Sequence, residues 1–309
     1  MVALAPVLAE KTPDAVQRIA GLLQGFSLEA TRPTDADIAA LRGLRPGTRI
    51  YISAVPGRAP EEITVAATRL RAAGFEPVPH VAVRNFQSTG ALDEFLARLN
   101  GEANVQRVLV IAGDREACGP FRSAIDAIDS GVFRRRGIRT LGIAGYPQGH
   151  ARISDDQLIR AMSEKIAAAD TTGIEIEIVT QFCFDSPAIL DYVEKLRRLG
   201  MDQPIRIGLT GPANIGMLLR YASRCGVQAS AQTLVRRTGL IRGVFAQAAP
   251  DQIIQKLADA APKGIGIHFF SFGGLPATAR WARAVAAGRV SLDRPAGFSV
   301  SPLMSSAVS

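Results

Sequence analysis

Residues 176–185 read IEIVTQFCFD, a β-branched apolar run suited to a buried strand, with Gln181 set just before its aromatic end. One amide in such a run often only satisfies a neighbour's hydrogen bonds. It gains meaning because other runs break at the same place. Strand candidates stand at 25–30 (GFSLEA), 49–55 (RIYISAV), 76–83 (EPVPHVAV) and 107–114 (RVLVIAGD). Others follow at 139–146 (RTLGIAGY), 176–184, 205–211 (IRIGLTG) and 265–273 (IGIHFFSFG). Near their C-terminal ends stand Glu29, Ser53, His80, Gly113 with Asp114, Tyr146, Gln181, Thr210, and His268 with Ser271. The runs are nearly continuous in apolar character, as parallel strands covered on both faces require.

Amphipathic segments lie between them. In EEITVAATRLRAAG (61–74) and SPAILDYVEKLRRLG (186–200) apolar residues recur at three- and four-residue steps. Ser186 and Pro187 are expected to cap and open the second, and Gly200 to stop it. Thr12 and Pro13 are expected to open an extra helix before the first strand. Eight strands alternating with helices predict an α/β fold, a (β/α)8 TIM barrel whose strand ends converge on one mouth. The rival doubly wound sheet lacks G-x-G-x-x-G after its first strand. The stretch 228–262 exceeds one helix and predicts helical elaboration before strand 8. No repeat, linker or boundary appears, so residues 1–309 read as one domain, with 291–309 a loosely held tail.

Composition narrows the classes. The chain has 309 residues, 47% of them hydrophobic, enough for a core without disulfides or metals. Cys118, Cys183 and Cys225 form no CxxC pair, which points to a reducing cytoplasm. The N-terminal residues show no basic region leading into a long apolar run, and no stretch reaches the roughly 20 apolar residues of a membrane helix. A soluble, cytoplasmic protein without a membrane partner is expected. The net charge is +8. FRRRGIRT (133–140) reads as a helix C-terminus, where cations oppose the dipole. It has no interleaved aromatics, so nucleic acid is not the expected partner. Arg220, Arg224, Arg236, Arg237 and Arg242 follow a predicted strand and could meet an anionic ligand. A homo-oligomer is left open, since the sequence carries no interface signature.

Each polar residue at the mouth has two readings. Glu29 ends an apolar strand, where desolvation would raise its pKa and suit it to general acid work, or it pairs with Arg32. Asp114 could accept hydrogen bonds from a polar heterocycle, or serve the turn in GDREACGP. The small residues in GIAGYPQGH (142–150) let a planar ligand approach the backbone, or simply make a tight loop. His80, His150 and His268 have no zinc spacing, so no metal is expected. No G-x-S-x-G elbow or P-loop appears. Phe182, Phe184, Phe269, Phe270 and Phe272 read as barrel packing.

In barrel order, VTQFCFD, GIAGYPQGH, VIAGD and PHVAV resemble the methylenetetrahydrofolate reductases, as do the opening strand FSLEATRP and the last strand IGIHFFSFG. The resemblance covers roughly residues 20 to 290. It implies a barrel holding FAD at the strand C-termini, with hydride passing from NAD(P)H through the flavin to 5,10-methylenetetrahydrofolate to give 5-methyltetrahydrofolate. It implies Glu29 as the acid that opens the folate bridge, Asp114 beside flavin and pterin, and Gln181 on the folate. Ser53, His80, Ala144, Tyr146 and His150 fall on flavin-contacting positions, with Ala112 and Gly113 beside them, Lys165 on a phosphate-contacting one, and Tyr221 on the substrate side. The sequence departs at Ala112, where an arginine is common, at Leu158 in place of an acid, and at Met217 in place of an amide. Two alternatives stand beside this reading. One is a divergent relative with weak or no FAD binding that oxidises 5-methyltetrahydrofolate or uses another hydride carrier. The other is a non-catalytic folate- or flavin-binding protein.

Overall fold

Each apolar run becomes a strand that hydrogen-bonds the next, and the last returns to the first. The architecture is that of a computed structural model, which describes residues 14–55, 57–224, 247–292 and 296–301. The barrel strands are β1 (Ser27–Ala30), β2 (Arg49–Ile52), β3 (Glu76–Ala82), β4 (Arg107–Ile111), β5 (Thr140–Gly145), β6 (Glu175–Thr180), β7 (Ile205–Thr210) and β8 (Ile265–Phe270). All neighbours run parallel, and the pairing of Ser27 with His268 closes β1 onto β8. Helices follow the strands, and the fold is the expected (β/α)8 barrel.

The strands stop earlier than the sequence predicts. β2 ends at Ile52 and β6 at Thr180, so Gln181 lies just past its strand and not inside it. Its N–H still donates to the Gly145 carbonyl (2.8 Å), but its own Oε1 then accepts from the Phe182 N–H (3.0 Å). That side-chain bond draws the backbone out of the ladder. The polar residues thus form the rim of the mouth.

Helix starts also shift by a residue or two. Asp185, not Ser186, is the N-cap of helix Ser186–Arg198, and Pro187 occupies its first turn. The extra N-terminal helix spans Ala15–Leu22, and its cap is Asp14, whose carboxylate accepts from the Gln17 N–H at 2.7 Å. Thr12 and Pro13 lie outside the described residues. The basic run closes helix Val132–Arg135 as expected, and Arg136 pairs with Asp93. Of the elaboration before β8, helix Asp251–Ala260 is described, together with an unforeseen antiparallel ladder joining 213–214 to 247–248. Residues 225–246, with Arg236, Arg237 and Arg242, lie outside the described residues. The start of the tail is docked: Phe298 is 1% exposed and stacks on Trp281 with centroids 6.0 Å apart. No helix among the described residues is long and apolar enough to cross a membrane.

Inside the barrel, a charged layer closes the N-terminal end. Glu177 meets Arg206 (2.8 Å), Arg49 (2.9 Å) and Arg107 (3.8 Å), while Glu76 meets Arg49 and Arg107 at 3.3 Å. Above it, Tyr51, Val78, Leu109 and Val179 pack as a small apolar layer. The Tyr51 hydroxyl donates down to Glu177 (3.1 Å), tying the two layers together. The third layer is the mouth.

Candidate active site at the barrel mouth

Glu29 comes from β1, and three neighbouring strands supply the groups around it. The Ser53 hydroxyl, just beyond β2, donates to Oε1 at 2.7 Å. From β8, His268 Nε2 lies 3.3 Å from Oε2, and from β3, His80 Nε2 lies 3.5 Å from the same oxygen. Burial alone would raise the Glu29 pKa. The charge of His80, the hydrogen bond and charge of His268 and the Ser53 hydroxyl outweigh it and bring the carboxyl down to about 2. The sequence expectation of a raised pKa is therefore reversed. Desolvation is present as foreseen, but the histidines that oppose it come from distant strands. Burial likewise pushes His80 down, against the pull of Glu29, so at neutral pH the cluster holds a carboxylate beside a neutral imidazole. Arg32, the partner considered for Glu29, makes no ion pair among the described residues.

A second group forms where β4 and β5 end. Gly113 has φ +93°, and a Cβ there would stand 3.1 Å from that of Ala82, so the turn after β4 requires glycine. Arg84, which sequence reasoning missed, pins this turn: its N–H donates to the Ala112 carbonyl (3.0 Å) and its guanidinium to that of Gly113 (3.3 Å). Asp114 is exposed, and its charge, after burial, raises the Tyr146 phenol. The Tyr146 and His150 rings meet edge to face at 5.3 Å. His150 Nδ1 accepts from the Arg152 N–H (3.2 Å), which leaves Nε2 of the neutral ring as the donor. Ala144 and Gly145 keep this wall thin. A Cβ on Gly145 would stand 2.7 Å from the Tyr192 hydroxyl. Lys165 joins neither group. It sits on helix Asp155–Thr172, about 15 Å of helical rise beyond the first residue, with its pKa lowered by burial.

A third group covers the β6–β8 side. Phe182, Phe184, Phe270 and Phe272 pack with Ile215, Leu218 and Met217 above the barrel, separate from the main core. Of the five phenylalanines expected to pack the barrel, Phe269 alone belongs to the main core. Tyr221 stacks on Phe272 at 4.0 Å and 7°, so one of its faces is taken. Gln181 sits half-buried at this edge.

Two cavities adjoin these groups. The larger, of 840 Å³, opens outward from Ser53 and His80, with Val55, Ile63, Ala66 and Phe86 among its walls. That volume lies within the range of pockets for large ligands. His80 Nε2 and Asn85 Oδ1, both on this cavity, are buried without a hydrogen-bond partner among the described residues. Asn85 was not foreseen, since nothing in VRNF distinguishes a buried amide from a turn residue. The smaller cavity, of 290 Å³, is lined by Ala144, Tyr146, Leu158 and Tyr192. Apolar walls with unpartnered donors and acceptors fit a planar heterocycle with a polar edge. The positions expected to touch flavin divide between the two cavities, Ser53 and His80 on one, Ala144 and Tyr146 on the other.

The family model for methylenetetrahydrofolate reductase matches residues 55–270, from just beyond β2 through the whole of β8. The chain belongs to the methylenetetrahydrofolate reductase family. Membership makes it an oxidoreductase of folate-dependent one-carbon metabolism. In this member of the family, Leu158 lines the smaller cavity beside Asp155, Asp191 and Lys195, and Met217 joins the aromatic cluster with its N–H bonded to Asn214 Oδ1 (2.7 Å).

Proposed function

We propose that the protein reduces 5,10-methylenetetrahydrofolate to 5-methyltetrahydrofolate with NAD(P)H as the hydride source and FAD as the carrier. The observation that carries this reading is the Glu29 carboxyl at the mouth, oriented by Ser53 and His268 and approached by His80, beside a cavity that fits a heterocycle. FAD, when bound, would supply the hydride relay, and Ser53, His80, Asn85, Ala144, Tyr146 and His150 are the residues to hold it. Asp114 and Gln181 orient the folate: the first as an exposed carboxylate, the second through its NH2, which makes no hydrogen bond among the described residues.

Glu29 moves the proton. In reduction its carboxylic acid protonates a bridge nitrogen of the substrate, the C–N bond breaks, and the resulting iminium carbon accepts hydride. The carboxyl must first take up a proton, and a ring lying over the mouth favours this by excluding solvent and raising its pKa. Glu29→Gln tests the role. Reduction of methylenetetrahydrofolate should fall by about 10²–10⁴-fold, the usual contribution of a positioned acid. Undiminished turnover would remove Glu29 from the mechanism.

The resting carboxylate also favours a second reading, oxidation of 5-methyltetrahydrofolate. In that direction a bound flavin or nicotinamide would supply the hydride acceptor for the methyl carbon. The neighbouring amine then attacks the iminium and its N–H proton passes to the Glu29 carboxylate. Initial rates measured both ways across pH 5–9 separate the two. The reductive rate should fall with rising pH, whereas the oxidative rate, served by a carboxylate that is already ionised, should hold level.

A further inference from the structure

His268 stands apart from the other polar residues of the mouth because it has no exposed surface at all. Its two nitrogens are both engaged, Nδ1 with the Ser27 hydroxyl at 3.0 Å and Nε2 with Glu29 Oε2 at 3.3 Å. Ser27 is also fully buried. The ring lies between Tyr51 (4.5 Å) and Phe270 (5.1 Å), both edge to face, so it cannot turn without displacing an aromatic neighbour. A lone pair on Nε2 would face the carboxylate and be repelled. In the neutral ring this arrangement selects the tautomer in which the Ser27 O–H donates to Nδ1 and Nε2–H donates to Glu29. His80, by contrast, approaches the same oxygen only to 3.5 Å, and its Nε2 has no hydrogen-bond partner among the described residues.

We propose that Ser27 and His268 form a positioning pair for Glu29: Ser27 fixes the histidine tautomer, and His268 fixes the carboxyl oxygen that it faces, leaving His80 to the bound ligand. The inference rests on the reading of Glu29 as the proton-transfer group. The ionisable groups around the pair are Glu29 and His80 directly, and Tyr51 with Glu177 below it. Loss of the His268 donor removes one of the groups that hold the carboxyl ionised.

His268→Leu and His268→Gln are the informative variants, with Ser27→Ala as a milder third. His268→Leu should lower kcat for folate turnover on the order of 10²-fold, with KM changed less than threefold. It should also move the limb of the pH–rate profile set by Glu29 to higher pH. His268→Gln retains an N–H that can reach the carboxylate and should recover at least tenfold of that loss. Nitrogen-15 NMR of histidine-labelled protein supplies a readout independent of turnover. In the wild type the neutral form of the ring should carry its proton at Nε2, and Ser27→Ala should introduce the other tautomer. An unshifted pH limb in His268→Leu, or a loss that His268→Gln does not relieve, would overturn the proposal. So would an NMR spectrum with the proton at Nδ1. If the wild type shows the expected tautomer but turns over no folate, the positioning pair stands and the functional reading fails.

Discussion

At Glu29 two opposing effects meet, and their balance fixes how the mouth responds to acid. The folded carboxyl sits at about 2, below its ordinary value near 4.5, because His80, His268 and Ser53 outweigh burial. A depressed carboxylate pKa stabilises the fold above the unfolded value, and that stability is lost as pH falls toward the folded one. His80 adds in the same direction. Burial holds its folded pKa below 6.5, so the unfolded chain binds a proton first as pH drops. The melting temperature should therefore decline in two stages, beginning near pH 6.5 for His80 and near 4.5 for Glu29. His80→Asn should flatten the first stage in calorimetric scans; a first stage that persists unchanged would mean that His80 is not the group. None of this balance was legible in the sequence. Glu29 could be picked out as a carboxyl ending an apolar strand, but its histidine partners lie 51 and 239 residues away, and only barrel closure brings them within reach.

Among the elements, the charged layer beneath the mouth decides stability. Glu177 is 5% exposed and faces three arginines. Burial raises its pKa, but Arg206, Arg49 and Arg107 overcome this and hold it ionised. Glu177→Gln leaves those guanidinium groups under-neutralised and should cost about 3–5 kcal/mol in denaturant unfolding. Glu62→Gln, which breaks an exposed pair with Arg58 just ahead of the helix Pro60–Ala72, should cost under about 1 kcal/mol. Equal losses would contradict this account of the layer. Close packing is similarly local. A Cβ on Gly208 would meet the Thr180 carbonyl at 2.4 Å and the Phe270 ring at 2.9 Å. Gly208→Ala should lower stability by about 1–3 kcal/mol, because a backbone oxygen cannot swing aside; an unshifted melting temperature would contradict it. The sequence displayed the strands well, since apolar β-branched runs are local signals. It also displayed the raw material of the charged layer, as Arg49, Glu76 and Arg107 each open a strand. Their mutual contact depends on stagger around the barrel, which no single run encodes. Strand ends were overestimated for a related reason. Hydrophobicity continues past Thr180, while the ladder ends where Gln181 bonds its own chain.

For the whole molecule, barrel order carried most of the inference. Eight runs in sequence, each with a polar or small residue at its end, imply one mouth, and the closed sheet places Glu29, Ser53 and His80 there. Less legible was how the remaining site residues group. Asp114, Tyr146 and His150 form a separate cluster, and Lys165 stands along its helix away from both. Docking of the C-terminal segment was also hidden, because one phenylalanine in a polar stretch is a weak signal. Phe298→Ala should cost about 3–5 kcal/mol if that ring is part of the core; near-wild-type unfolding would show that it is not. The central claim is a flavin-carried hydride transfer ending on folate. Its most direct test is the visible absorption spectrum of the purified protein after incubation with FAD and gel filtration. A retained flavin spectrum that bleaches with NAD(P)H and returns on adding 5,10-methylenetetrahydrofolate is the predicted result. Protein that retains no flavin, or flavin that bleaches but is not reoxidised by the folate, would contradict it.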